Sequence, residues 1–537
     1  MDIFLNRRSF LRGTSALFAA AQTDFLARLA TAAGTDDVIA VTSAGKVRGV
    51  VVDEVKVFKG IPYGGTTAGK NRFMPPAKPA KWTGVRDALT YGHTAPQLTN
   101  GTPRPGTPEQ GEDCLVLNVY TPELGPRNKR PVMVWLHGGG FSTGSGSGAI
   151  YEGVNLAHKN NVVLVSINHR LNVLGSTYLG EVAGPEFALS GDVGMLDIVA
   201  ALHWVRDNIE HFGGDPNLVT IFGQSGGGRK VATLMSMPGA KGLFQRAIIE
   251  SGAVLRLTTQ EDAIRQTGLL LRELGLQPGQ ARELQNLPVE KLLAADREVQ
   301  KKINVREPGM VADSPMVDGK ALPHHPWDPA APALSASIPL LIGWARTEET
   351  LYDRPTPEKL ALDEAGLRER TAKRLAVDPG PVIEAFRKAY PDASPWDLYI
   401  LIATDHPRAA YTRELAKRKA VEAGAPAYVY RFDWETPEGG GHMRSPHTVE
   451  IPFVFDNIKI AGQFISKMPE AYTLAEKVSA SWAAFARTGN PNVAQLPNWP
   501  AYSAARRDTM LFNNECHVEQ DPAQSARLAM ERVLKLS

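Results

Sequence analysis

Cysteine is scarce in this chain of 537 residues, which contains only Cys114 and Cys516. Two cysteines cannot form a disulfide framework, and no cluster of Cys and His has metal-ligand spacing, so we interpret both as free, buried thiols. An excess of one charge is also missing, since 59 basic residues face 57 acidic ones. This balance predicts no nucleic-acid partner. No apolar run reaches the ~18 residues that a membrane span needs.

The N-terminus carries a short addressing pattern. Arg7 and Arg8 are followed by Ser9-Phe10-Leu11 and then by a weak apolar stretch, an arrangement that resembles the twin-arginine export signal of bacteria. We therefore predict that residues 1–35 are a signal segment and take no part in the fold. The predicted location is periplasmic or secreted, or cytoplasmic if the signal is not used.

Residues 36–537 are predicted to form one catalytic body with insertions. Strand-like and helix-like segments alternate, which is typical of a parallel sheet covered by helices. Helical, charged sequence without buried-strand runs fills about 258–335 and 355–425, and these blocks are predicted to wall a gorge above the sheet. The strand-like runs are Leu115–Tyr120, Pro131–Leu136, Val162–Ile167, Val219–Phe222, Ala247–Ile249, Ile338–Gly343 and Ala427–Phe432.

The most informative motif follows the fourth of these runs. Gly223-Gln224-Ser225-Gly226-Gly227 fits the pattern Gly-x-Ser-x-Gly, in which a serine occupies a sharp strand-to-helix turn. The flanking glycines relieve crowding that a Cβ would cause there. The pattern predicts that the Ser225 hydroxyl stands clear of the sheet as a nucleophile.

A serine nucleophile needs a histidine as base and a carboxylate that orients the imidazole. On such scaffolds the acid and then the histidine follow the serine along the chain. Either Glu348 or Glu349 fits the acid, because both follow the strand Ile338–Gly343, and either His442 or His447 fits the base. Asp405 and His406, in helical sequence, are interpreted as surface residues.

The reaction also needs donors for a developing oxyanion. Leu136-His137-Gly138-Gly139-Gly140-Phe141 follows a buried strand directly, and its glycines let backbone N–H groups turn inward. Together with the N–H of Gly226, this layout is the one described for lipases and esterases.

At this point the chain resembles the type-B carboxylesterases, the family that includes bacterial para-nitrobenzyl esterases and cholinesterases. The resemblance implies an α/β-hydrolase fold, with a large, mostly parallel sheet, and a serine carboxylic-ester hydrolase with no cofactor or metal. It selects Glu348 and His447 for the triad and Gly139, Gly140 and Gly226 for the oxyanion hole. The matching segments are Gly60–Tyr63, Arg72-Phe73, Glu112–Val119, His137–Phe141, Gly191–Gly228 and Glu450–Phe455.

Three departures from that family stand out. Gln224 occupies the place of the usual glutamate before the serine, which removes a negative charge near the histidine and is predicted to lower its pKa. Gly226 replaces the usual alanine. Ala95 lies near the place of the cysteine that normally forms a disulfide with the residue at the position of Cys114. The segment 83–113 contains no tryptophan, and this absence argues against an enzyme specialised for choline esters.

Three functional hypotheses follow. The leading one is hydrolysis of a small-molecule ester through an acyl-enzyme formed on Ser225. The second is a non-catalytic, cholinesterase-like binding or adhesion protein, which the complete set of triad candidates disfavours. The third is related acyl chemistry on an amide, lactone or carbamate. The sequence indicates no oligomeric state.

Overall fold

The computed structural model describes residues 38–98, 107–303, 313–422, 424–461, 465 and 468–536. The predicted export signal lies outside these residues. Thirteen strands form one sheet, and their bounds are β1 Val38–Val41, β2 Lys46–Val52, β3 Val55–Pro62, β4 Val85–Asp87, β5 Val116–Thr121, β6 Arg130–Leu136, β7 Val163–Ile167, β8 Gly214–Gln224, β9 Arg246–Glu250, β10 Leu340–Ala345, β11 Ala427–Phe432, β12 Asp508–Phe512 and β13 His517–Gln520.

The strand order is β1-β2-β3-β5-β7-β6-β8-β9-β10-β11-β12-β13, and β4 pairs with β2. From β7 through β12 every neighbouring pair is parallel. The pairs β1–β2, β2–β3, β3–β5 and β5–β7 are antiparallel, as is β12–β13. The predicted sheet, mostly parallel and large, is therefore confirmed.

Helices cover both faces of this sheet. The α-helices of the described residues are Val154–Asn160, Asn172–Ser176, Gly180–Ala183, Val193–Asn208, Gly226–Leu234, Gln260–Glu273, Val289–Lys302, Pro357–Leu360, Glu364–Leu375, Gly380–Ala389, Pro395–Thr404, Ala410–Val421, Ile451–Val454, Pro469–Thr488 and Gln524–Val533. The first block predicted as an insertion falls between β9 and β10, and the second falls between β10 and β11. The domain boundaries at residues 35 and 36 remain a prediction.

Strand β6 shows how the sequence builds both layers of the core. Its side chains alternate between the two faces, as in any strand. Val132, Val134 and Leu136 pack with residues of the helix Val193–Asn208. Met133 and Trp135 pack on the other face, with the helix Pro469–Thr488. Because both faces are buried, the strand reads as a continuous apolar run.

One helical stretch, 185–212, is long and apolar enough by composition to cross a membrane, but 72% of its most apolar window is buried inside the protein. It contains the helix Val193–Asn208, which packs on the sheet. Cys114 is buried and Cys516 is partly buried, and both are free thiols. The favoured interpretation of two free thiols therefore agrees with the structure, but the expected burial holds only for Cys114.

Candidate active site

Ser225 occupies the turn between β8 and the helix Gly226–Leu234, where the sequence predicted it. Its backbone has φ 58° and ψ −118°, a conformation that non-glycine residues rarely adopt. The serine N–H donates to Glu250 O at 2.8 Å, and the N–H of Arg229 donates to Ser225 O at 3.0 Å. These bonds fix a turn that leaves Ser225 partly exposed at the end of its strand.

His447 and Glu348 form a buried pair close to this turn. Nδ1 of His447 contacts Oε2 of Glu348, and both side chains are at most 2% exposed. The second carboxylate oxygen, Oε1, accepts the N–H of Ala345 at 2.8 Å. Burial alone would raise the pKa of Glu348, but the interaction with His447 and the charge of Arg408 bring it below its usual value. Burial lowers the pKa of His447, so its ring is neutral and able to accept a proton at neutral pH.

The two residues that sequence reasoning held as alternatives lie elsewhere. Glu349 forms ion pairs with Arg374 at 3.3 Å and with Arg408 at 3.9 Å. His442 is exposed, in the loop that follows the 3-10 turn Glu438–Gly441. Of the four candidates, the structure therefore brings together the pair Glu348 and His447.

Gln224 links the serine turn to the histidine. Its Nε2 lies 3.3 Å from Nδ1 and 3.4 Å from Nε2 of His447, so the residue before Ser225 contacts the imidazole. Both Ser225 and His447 belong to the described residues, and no hydrogen bond connects their side chains there. His447 thus contacts the residue that precedes Ser225, but it does not form a hydrogen bond with the Ser225 side chain.

The three glycines predicted to form the oxyanion hole have backbone angles or close contacts that favour a residue without a side chain. Gly139 and Gly140 have φ +89° and +65°, values that favour glycine over other residues. A Cβ on Gly226 would lie 2.4 Å from Gly140 N and 2.2 Å from Gly140 O. The loop that contains Gly140 therefore packs directly against the backbone of Gly226. The three residues predicted to donate to the oxyanion thus lie close together beside Ser225.

Lys230, which the sequence did not single out, contacts this glycine loop. Its Nζ donates to His137 O at 3.0 Å and lies 5.6 Å from the centre of the Phe141 ring. It thus contacts both ends of the loop from the helix that begins after Ser225. The side chain is fully buried, and burial lowers its pKa to about 7. The sequence signal was a lysine directly before the apolar pair Val231-Ala232, just over one turn past the serine.

Two further buried acids, Glu250 and Glu450, lie in the same part of the protein as Glu348. Ser251 Oγ donates to Glu450 Oε1 at 3.2 Å, and Trp482 Nε1 donates to Glu250 Oε1 at 2.8 Å. Burial raises the pKa of Glu250 to about 8. Burial and then the charge of Glu348 raise the pKa of Glu450 well above its usual value. Glu250 is therefore protonated near neutral pH, while the pKa of Glu348 is lowered and favours its ionised form.

Other predicted roles can be placed as well. Trp135 and Trp204 are buried in the core. After β7, Arg170 donates to both oxygens of Asp197 at 2.7 and 2.8 Å. No group of three or more metal-ligating side chains occurs in the part of the chain that the structure describes.

One interpretation was wrong. Asp405 is buried and paired with Arg413, and His406 is partly buried. Their segment, Asp405–Ala409, packs against Glu348, because Arg408 Nε lies 3.7 Å from Glu348 Oε2.

A parallel sheet with helices on both faces, together with a serine on a strained strand-to-helix turn, defines an α/β-hydrolase. The family model described as "Carboxylesterase family" matches residues 36–529. The chain therefore belongs to the carboxylesterase family, and it is a carboxylic-ester hydrolase. The predicted fold and the predicted class of enzyme are confirmed, and the hypothesis of a non-catalytic binding protein is set aside.

Several known proteins are similar over nearly the whole chain. The para-nitrobenzyl esterase of Bacillus subtilis is 37% identical over 503 residues, which cover 91% of this chain and 97% of the esterase. The phenmedipham hydrolase of Pseudarthrobacter oxydans is 35% identical, with 89% and 95% covered. Among solved structures, a carboxylesterase of Geobacillus stearothermophilus gives a TM-score of 0.80 at 37% identity, with 92% of this chain and 99% of that chain covered.

Proposed function

We propose that Ser225, His447 and Glu348 hydrolyse a small-molecule carboxylic ester through an acyl-enzyme. Ser225 Oγ attacks the ester carbonyl while His447 takes its proton. Glu348 holds His447 in the tautomer that leaves the acceptor nitrogen towards the serine, and it stabilises the imidazolium that forms. The backbone N–H groups of Gly139, Gly140 and Gly226 stabilise the tetrahedral oxyanion.

The second half of the cycle uses the same groups. His447 gives its proton to the leaving alcohol oxygen, which completes the acyl-enzyme. It then takes a proton from water, and the hydroxide formed attacks the acyl carbon. Return of the proton to Ser225 Oγ releases the carboxylic acid. No metal or organic cofactor enters these steps.

The observation that supports this proposal most is the buried contact between His447 Nδ1 and Glu348 Oε2 beside the strained turn of Ser225. A carboxylate on Nδ1 leaves Nε2 as the basic nitrogen. Hydrogen bonds between a nucleophile and its base often close only when substrate binds. Rotation of the Ser225 side chain is therefore the motion that we expect to complete the triad.

The experiment compares the wild type with Ser225→Ala and His447→Ala on p-nitrophenyl esters of graded acyl length. We expect both variants to lose at least about 10³-fold in kcat. A fluorophosphonate probe should label the wild type and leave Ser225→Ala unlabelled. Labelling of the Ser225→Ala protein, or hydrolysis by it at near wild-type rate, would overturn the assignment of the nucleophile.

The relatives suggest where the substrate search begins. Para-nitrobenzyl esters and phenmedipham are natural members of the panel, because similar proteins are named after their hydrolysis. We propose carboxylic esters as the main substrates, and amides, lactones or carbamates as secondary ones, because they share the same tetrahedral intermediate.

We also propose that residues 1–35 export the protein through their Arg7-Arg8 pair. A chain with both arginines replaced by lysine should stay in the cytoplasm while the wild type reaches the periplasm or the medium. Equal distribution of the two proteins between cell fractions would contradict this.

A further inference from the structure

Lys230 is a buried lysine that the proposed chemical steps do not use. It lies just over one turn after Ser225, on the helix Gly226–Leu234, and its side chain is fully buried. Its Nζ donates to His137 O at 3.0 Å and lies 5.6 Å from the centre of the Phe141 ring. In the part of the chain that the structure describes, both partners belong to the glycine loop, residues 137–141, and neither is a carboxylate. A buried ammonium without an acid is costly, so its place here calls for a reason.

The glycine loop depends on outside contacts for its shape. Its centre, Gly139, is exposed, and a run of glycines has more conformational freedom than other sequences. An oxyanion hole works when its donors already point at the place where negative charge develops, because reorientation during the reaction would cost free energy. The direction of the N–H groups in this loop must therefore be set by the hydrogen bonds that its carbonyl groups accept.

Three successive carbonyl groups at the start of this loop accept such bonds. His137 O accepts from Lys230 Nζ at 3.0 Å, and Gly138 O accepts from His137 Nδ1 at 2.9 Å. Gly139 O accepts from the backbone N–H of Thr143 at 3.0 Å. The peptide bonds of the loop are trans, so each N–H points away from the carbonyl group of its own peptide unit. Fixing the three carbonyl groups therefore fixes the N–H directions of the three glycines.

Lys230 also acts on the second bond of this series. Nδ1 of His137 carries a proton, because a carbonyl oxygen can only accept. Burial, and after it the charge of Lys230, lowers the pKa of His137 to about 3, so the imidazole is neutral. The same two causes lower the pKa of His169, whose ring stacks on that of His137 with 4.9 Å between the ring centres. The ammonium of Lys230 is thus the positive charge at this end of the loop.

We propose that Lys230 is a positioning residue for the oxyanion hole: by holding His137 O, it fixes the N–H groups of the glycine loop in the direction that a tetrahedral oxyanion needs. A hydrogen bond from a charged donor is stronger than a neutral one, which suits the anchor of a loop of glycines. The inference rests on the proposed function, because it concerns the same serine site. It leaves the chemical steps to the triad, and Lys230 acts only through the backbone of the loop.

The test uses two ketones that differ in one group. In trifluoromethyl hexyl ketone the carbonyl carbon is electrophilic. Ser225 Oγ adds to it, His447 takes the serine proton, and the carbonyl oxygen becomes an oxyanion. Methyl hexyl ketone is the counterpart that binds as an intact ketone. For each protein the measured quantity is Ki of the methyl ketone divided by Ki of the trifluoromethyl ketone, against hydrolysis of 4-nitrophenyl butyrate. Because both values refer to the same active sites, loss of active protein does not change this ratio.

Lys230→Met has nearly the same length but neither charge nor donor, and Lys230→Gln is uncharged and one bond shorter. In both we expect the ratio to fall about 10- to 100-fold, the loss typical of removing a hydrogen bond from a charged group. The kcat/KM for 4-nitrophenyl butyrate should fall by a similar factor, since the oxyanion forms only on the way to the transition state. Ki of methyl hexyl ketone should stay within about 3-fold of wild type, because ground-state binding does not use the oxyanion donors.

Lys419→Met is the matched control. Lys419 is also buried, and its Nζ donates to Ser335 O at 2.8 Å and to Ala336 O at 2.7 Å. These carbonyls precede β10, whereas Ser225 follows β8, so the two lysines lie at opposite edges of the parallel part of the sheet. The substitution removes the same atoms and the same kind of bond. The ratio should stay within about 3-fold of wild type, whatever the change in Tm.

A ratio close to that of wild type in either folded Lys230 variant would overturn this inference. An equal fall of the ratio in Lys419→Met would do so too, because the effect would then reflect general loosening of the fold. Failure of the proposed function is a separate result: the wild type and Ser225→Ala would then show the same ratio, since no adduct would form on Ser225. Thermal unfolding and binding of methyl hexyl ketone establish that each variant is folded.

Discussion

Replacing Glu348 by glutamine should remove most of the catalysis without removing the side chain's shape. The reason lies in how its two oxygens are used. Oε1 accepts the N–H of Ala345 at 2.8 Å, and the amide oxygen of a glutamine will keep that bond. The amide NH₂ must then face His447 Nδ1 as a donor, which places the histidine proton on Nε2. The nitrogen that should accept the serine proton is then occupied.

The size of the effect follows from this change of tautomer. The corresponding carboxylate-to-amide change in a serine protease triad lowers kcat by about 10⁴. At about 1.36 kcal/mol for each factor of ten, this is about 5 kcal/mol of transition-state stabilisation. The fully buried contact between His447 and Glu348 keeps out water that could take over the role of the acid. We therefore expect kcat for 4-nitrophenyl butyrate to fall about 10³- to 10⁴-fold in Glu348→Gln.

Glu349→Gln is the matched control, because it changes the adjacent carboxylate by the same atoms. Glu349 pairs with Arg374 and Arg408 and does not contact His447, so kcat should change less than about 3-fold. Stopped-flow measurement of the first turnover, with thermal unfolding to confirm the fold, gives the readout. The reasoning is refuted if Glu348→Gln keeps more than a tenth of wild-type activity, or if Glu349→Gln loses as much.

Three further predictions concern packing and pH. Gly226→Ala should lower kcat at least about 10-fold and destabilise the fold by about 1–3 kcal/mol, because its Cβ would meet Gly140 O at 2.2 Å; unchanged kcat and Tm would contradict the tight contact. Asp197→Ala should cost about 3–5 kcal/mol in urea unfolding, because it leaves the Arg170 charge buried without its carboxylate; a loss below 1 kcal/mol would be inconsistent with that pair. Glu250 has its pKa raised to about 8 in the fold, so the folded protein binds the extra proton and the free energy of unfolding falls as pH rises from about 4.5 to 8. Glu250→Gln should flatten that fall, which Tm at pH 6 and pH 9 will show.

The sequence predicted the centre of the fold because its signals are local. β6, β7 and β11 are buried on both faces, so each appears as a mostly apolar run, interrupted only by Ser166 in β7 and Arg431 in β11, within one residue of its true bounds. The turn at Ser225 was equally visible, because only glycines tolerate the close backbone contacts around it. Buried strands and glycine turns can be predicted because each depends on residues that are adjacent in the sequence.

The parts that the sequence did not reveal depend on distant contacts. β12 begins with the polar pair Asp508-Thr509 and β13 is mostly exposed, so neither shows a buried-strand pattern. Asp405 was interpreted as a surface residue because its burial depends on pairing with Arg413 in the folded chain. The same holds for Arg408 and Lys230, since a charged residue in a helical sequence looks solvent-exposed until tertiary packing covers it.

The order of the strands has a consequence for how this enzyme can change. Ser225 follows β8, Glu348 follows β10 and His447 comes after β11, so each residue of the proposed triad lies in a segment that follows a strand of the parallel part of the sheet. The long helical excursions between these strands carry none of the three. Natural variation or laboratory evolution can therefore change the helical insertions, and with them the range of substrates, while the positions of the three proposed triad residues are kept.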